Sequence, residues 1–110
     1  MGNSQGTILL VEDNDTLRGV YADILGFGGY QVLTAGDGEA GWEMAKAHKP
    51  DFILLDIEMP KLDGFEVLQR IREDAETKAI PVVMFSAVNM KEETQKAIAL
   101  GANGFLNKGV

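Results

Sequence analysis

Five short apolar runs, separated by stretches with a helical repeat, organise this chain. Thr7–Val11, Gln31–Ala35, Asp51–Asp56, Pro81–Ser86 and a short segment from Phe105-Leu106 to Lys108 have the length and continuous apolarity of strands buried on both faces. After the first run, Leu17, Val20, Tyr21, Ile24 and Leu25 fall at i, i+3, i+4, i+7 and i+8, one face of a helix starting near Asp15. Gly26-Phe-Gly-Gly29 stops it. Asp37-Gly38 turns into a second helix that presents Ala40, Gly41, Met44 and Ala45 on one side and ends near His48, with Pro50 just beyond. A loop from Met59-Pro60 to Asp63-Gly64 leads into a third helix carrying Phe65, Leu68, Ile71 and Arg72. Asn89 and Glu92 form an N-cap with an acidic N3 residue for a fourth helix, which carries Met90, Thr94, Ala97 and Ile98 and stops at Leu100-Gly101.

The order β-α-β-α-β-α-β-α-β predicts an α/β fold with an all-parallel sheet and right-handed crossovers. Residues 1–6 are polar and glycine-containing, and are expected to form a disordered tail ahead of one domain over 7–110. A parallel sheet is covered on both faces. Four crossovers leave one face a helix short, so either a fifth helix is missing or another chain covers that face.

The chain has 110 residues, enough for one core burying about two-thirds of the unfolded surface. Its formal net charge is −7, and no basic stripe suited to nucleic acid is present. Cysteine is absent, which excludes disulfide and thiolate chemistry. No apolar run reaches the ~18 residues of a membrane span and no signal peptide precedes the first strand, so a cytoplasmic protein is expected.

The chemistry lies at the strand ends. Asp56 closes the third run, and the acidic pair Glu12-Asp13 closes the first. Neighbouring strands of an open α/β sheet share one crevice at their carboxyl ends, so adjacency would bring three carboxylates together. Two like charges ~4 Å apart repel by roughly 4 kcal/mol at an effective dielectric of about 20. Such a cluster calls for shifted pKa values or a hard divalent cation, and Mg²⁺ favours a few carboxylates with waters and phosphate oxygens. Asp56 could act as ligand and as nucleophile toward a phosphoryl group. Lys108 offers a positive charge and Ser86 a hydroxyl to phosphoryl oxygens, which is most of what phosphoryl transfer requires.

With these residues in place, the chain resembles the receiver domains of bacterial two-component response regulators, the CheY-like family. The matching motifs are Ile8-Leu-Leu-Val-Glu-Asp13 with Asn14, Leu54-Leu-Asp-Ile-Glu-Met-Pro60, Asp63-Gly64, Ser86-Ala87, Gly101-Ala102 and Phe105-Leu-Asn-Lys108. They run over about residues 7–108 in the family's order. The resemblance implies a flavodoxin-like three-layer sandwich with strand order 2-1-3-4-5. It implies Asp56 as phosphoacceptor, with Mg²⁺ held by Glu12, Asp13, Asp56 and the backbone carbonyl of Glu58. Ser86 and Ala87 take the positions of the switch hydroxyl and its neighbour, Lys108 that of the pocket lysine, and Phe105 that of the rotating aromatic. The implied partners are a sensor histidine kinase or phosphotransfer protein, and an effector bound through the face of the fourth helix and fifth strand. Such a domain accepts its own phosphoryl group and is not a turnover enzyme.

The chain departs from the family pattern at three places. Glu12 replaces a frequent aspartate, Gly109 replaces the proline that usually follows the lysine, and the family's last helix is missing. That loss would expose apolar surface and favour self-association or swapping. Glu58 is expected at the pocket rim, with an influence on how fast water attacks the phosphoryl group. Trp42 is expected to pack in the core, and His48 to stabilise the end of its helix as a cation. Two other readings remain. One is a pseudo-receiver that binds or assembles without phosphotransfer. The other is a phosphatase of the haloacid dehalogenase type, whose nucleophile motif Asp56-Ile-Glu58 mimics although it sits on the third strand and no cap domain accompanies it.

Overall fold

A computed structural model describes residues 6–86 and 91–107. The elements run β1 (Thr7–Val11), α1 (Asp15–Phe27), β2 (Gln31–Ala35), α2 (Gly38–His48), β3 (Phe52–Asp56), α3 (Gly64–Glu73), β4 (Val82–Ser86), α4 (Lys91–Ala99) and β5 (Gly104–Asn107). All strand pairs are parallel, and the sheet has the order β2-β1-β3-β4-β5. The expected fold is therefore present. Asn89, the expected N-cap of the fourth helix, lies outside the described residues with Met90 and the chain ends at residues 1–5 and 108–110, whereas Glu92 is in the first turn of α4.

The two faces of the sheet follow from the alternation of side chains along each strand. Leu9, Val11, Ile53, Leu55, Val82 and Met84 are buried in the main core with Val67, Leu68 and Ile71 of α3, Ala45 of α2 and Ala97 of α4. Trp42 is half-buried against this core, with the Lys46 ammonium 4.9 Å from its ring centroid. The alternate positions Leu54, Phe85 and Leu106 face α1 and, with Tyr21, Ile24 and Leu25, line a groove of about 230 Å³. Tyr21 meets Phe85 edge-to-face with centroids 5.6 Å apart.

The periodicity of α1 predicts a buried face, but no residue of this helix is buried, and Val20 and Ile24 are exposed. The stripe is genuine; among the described residues only the sheet lies against it, and no second helix covers its flank. In α4, Ala97 is buried while Ile98 is exposed, so only part of that expected stripe reaches the core. Strand boundaries shift slightly. Asp51 precedes β3, and its carboxylate accepts from the Thr7 amide at 2.8 Å. Pro81 precedes β4, with its carbonyl accepting from Ile53 N at 2.9 Å.

The helix ends follow local chemistry. Asn14, Asp37 and Asp63 cap α1, α2 and α3 by accepting from Leu17, Ala40 and Glu66 backbone amides, and Asp63 with Glu66 completes a capping box. His48 is exposed in the last turn of α2, where a cation suits the helix dipole.

Candidate functional site

The site forms at the carboxyl edge of the three central strands. β1 and β3 pair through Val11 opposite Leu55, so one step further along brings Glu12 beside Asp56. Glu12 is fully buried and Asp56 is 2% exposed, whereas Asp13 is exposed at the mouth. One carboxylate oxygen from each of these three residues lies within 4.8 Å of the others. The sequence expectation that the acidic pair meets Asp56 is fulfilled. A donor set made only of hard oxygens, close enough to converge on one point, fits Mg²⁺ and offers nothing to a soft metal.

The loops around the cluster are tightly organised. Glu12 Oε2 accepts from Asn14 N at 2.9 Å, and Asn14 Oδ1 accepts from Leu17 N at 2.9 Å. Arg18, one turn into α1, donates from Nη1 to the carbonyl of Glu12 at 2.9 Å and from Nη2 to Asp15 Oδ1. On the other side, Glu58 N lies 3.3 Å from Asp56 Oδ1, and the Glu58 side chain is exposed at the rim as expected. α3 starts directly behind Asp56, with Gly64 N donating to Ile57 O at 2.8 Å.

The β3–α3 loop is also fastened to the start of α2. Gly38 packs against Leu62 so closely that any Cβ there would overlap the Leu62 carbonyl. Lys61 Nζ lies 3.6 Å from Asp37 Oδ2. The amide of Ala40 donating to Asp37, with a smaller contribution from Lys61, holds the Asp37 carboxyl below its ordinary range against the opposing effect of burial.

Ser86 is fully buried as the last residue of β4, opposite Asn107 in register, while Asp56 is opposite Phe85. Phe105 is half-buried on β5, opposite Met84 and packed against the main core. Ala87 and Lys108 lie outside the described residues, as does the Lys108–Gly109 peptide bond. The sequence reading missed Arg18, although the Asp15–Arg18 spacing of i, i+3 at a helix start was a visible sign of a local pair.

The sequence and its 2-1-3-4-5 parallel sheet have clear counterparts among known proteins. The family model described as "Response regulator receiver domain" matches residues 8–110. The chain belongs to the response regulator receiver domain family. It is 29% identical over 104 residues to the polar-differentiation response regulator DivK of Brucella anthropi, covering 94% of this chain and 85% of that protein. The chemotaxis protein CheY4 of Vibrio cholerae superimposes with a TM-score of 0.89 at 31% identity, over 96% of this chain and 88% of that one. The Mn²⁺-bound form of response regulator Rcp1 gives a TM-score of 0.84 at 28% identity, over 94% of this chain and 81% of that one. Membership places this receiver domain in two-component signalling. No described helix is long and apolar enough to cross a membrane.

Proposed function

We propose that this receiver domain, over residues 7–110, is a phosphorylation-controlled switch in which Asp56 takes a phosphoryl group from the phosphohistidine of a sensor kinase or phosphotransfer protein. The observation that carries this reading is the burial of Asp56 against an equally buried Glu12, with Asp13 at the mouth. Burying carboxylates side by side is costly, and a bound cation would offset that cost. Glu12, Asp13, Asp56 and the backbone carbonyl of Glu58 would hold the cation. That the response regulator Rcp1 has a Mn²⁺-bound form lends support to divalent-ion binding by this domain. When bound, Mg²⁺ supplies positive charge that offsets the carboxylates and the oxygens of the transferring group.

In the transfer, an Asp56 carboxylate oxygen attacks phosphorus and forms a P–O bond while the P–N bond to the donor imidazole breaks. The electron pair leaves with the imidazole nitrogen, which takes its proton from solvent. Ser86 and Lys108 are assigned to the phosphoryl oxygens, with Ala87 beside the switch hydroxyl. Ser86 drawn toward the phosphate would vacate space into which Phe105 turns, reshaping the α4–β5 face that an effector reads. Glu58 at the rim is placed to affect hydrolysis of the phosphoaspartate. The Asp56-Ile-Glu58 motif begins at the last residue of the third, central strand, not of the first, which disfavours the phosphatase reading.

The test is intact-protein mass after incubation with acetyl phosphate and Mg²⁺. One added phosphoryl group is expected, and it should be lost with Asp56→Asn or with a chelator. No gain from folded wild-type protein would overturn phosphotransfer and favour a binding module that lacks the chemistry.

A further inference from the structure

The acidic pair sits just past the last residue of β1, where the strand ladder is running out. The β1 register ends at Val11, and Glu12 N still donates to Ala35 O at 3.1 Å. Beyond that point the main chain turns through Asp13 into α1. The Glu12 carbonyl accepts from Arg18, whose guanidinium also pairs with Asp15 in the first turn of the helix. The Arg18 side chain is 24% exposed, although its partner Asp15 is 89% exposed. It also packs toward β2, since a Cβ on Gly36 would fall 3.2 Å from Arg18 Nη1. One side chain therefore ties the end of β1, the end of β2 and the start of α1 together around Glu12 and Asp13.

We propose that Arg18 is a positioning residue of the divalent-cation site, fixing the main chain at Glu12 so that Glu12 and Asp13 present their oxygens together with Asp56. The inference rests on the cation reading above and assigns a residue that touches neither the cation nor the phosphoryl group. Its chemistry suits the task. A guanidinium holds two acceptors in one rigid fork, whereas an ammonium is a single point charge on a flexible stem. The sign of its electrostatic effect makes the role separable. A positive charge this near the acidic pair opposes a bound cation, so removing it would tighten cation binding if charge were its only influence. Loss of positioning acts in the opposite direction, as when the groups that orient metal ligands are removed.

The experiment measures Mn²⁺ affinity from the free-ion electron paramagnetic resonance signal, for wild type, Arg18→Lys and Arg18→Met. It is run well below each protein's Tm, with circular dichroism confirming the fold. Both variants are expected to bind Mn²⁺ about tenfold more weakly than wild type. Lysine binding as tightly as arginine, or methionine binding equally or more tightly, would overturn the positioning role while leaving the cation site intact. Wild type that binds no Mn²⁺ would overturn the cation reading, and the positioning role with it.

Discussion

Gly64 is pressed against the main chain of Asp56: a Cβ on Gly64 would overlap the Asp56 carbonyl oxygen and fall 2.7 Å from the Ile57 Cα. The start of α3 and the end of β3 are thus one packed unit, and the backbone of Asp56 is backed by a helix. Gly64→Ala is expected to destabilise the domain by about 1–3 kcal/mol, the cost of forcing an extra group into a closed contact. Urea unfolding measures it, and an unchanged midpoint would show that the strand end yields freely.

The cation should stabilise the fold by an amount that grows with the logarithm of one plus its concentration over Kd. At ten times its Kd, Mg²⁺ would contribute about 1.4 kcal/mol, a rise in Tm of about 4–8 °C for a domain near this size. Asp13→Asn, at the exposed member of the cluster, should remove most of that rise. A melting temperature indifferent to millimolar Mg²⁺ would argue against the site.

Arg72 fastens the end of α3 to two loops at the edge of the sheet opposite the site. It donates to Gly101 O, Lys78 O, Ile80 O and Asn103 Oδ1, and Asn103 Oδ1 also accepts from Val82 N at 2.9 Å. Arg72→Ala should cost about 2–4 kcal/mol, because several acceptors lose a charged donor at once. Lysine should recover only a minor part, since one ammonium cannot span those positions. Equal stability of the lysine variant and wild type in a thermal melt would contradict this.

Asp37 gives a prediction with a definite pH dependence. Its folded pKa lies below the ordinary 3.8, chiefly because it accepts from the Ala40 amide. A depressed carboxyl contributes stability above its unfolded pKa and loses it as pH falls through the lower folded value. Asp37→Ala should therefore destabilise by about 1 kcal/mol at neutral pH, as for other N-cap losses, and the gap to wild type should narrow below about pH 3.8. A gap constant from pH 7 to pH 2.5 would show that charge plays no part in the cap.

Much of the fold was legible because a parallel sheet buried on both faces writes its strands as unbroken apolar runs, such as Thr7–Val11 and Phe52–Asp56. The acidic cluster was legible too, since strand order alone brings Glu12 and Asp56 side by side. The exposure of Val20 and Ile24 was not, because periodicity reports which positions share a helix face and not what packs against it. Nor was Arg18, whose role depends on a carbonyl that leaves the strand ladder. The clamp of Gly38 on Leu62 was equally hidden, as Asp37-Gly38 reads as an ordinary turn until the loop from β3 is seen to lie across it.

The pairing of β1 with β3 has a consequence for the kinetics of folding. Residues 8–11 must find residues 52–55 across an intervening helix, an edge strand and a second helix. Closing that long loop costs entropy before any contact rewards it. The same event assembles the three carboxylates. A divalent cation therefore reports when in folding β1 docks. If Mg²⁺ accelerates refolding, the β1–β3 pairing is already formed at the barrier; if it only retards unfolding, β1 joins the sheet after the barrier has been crossed.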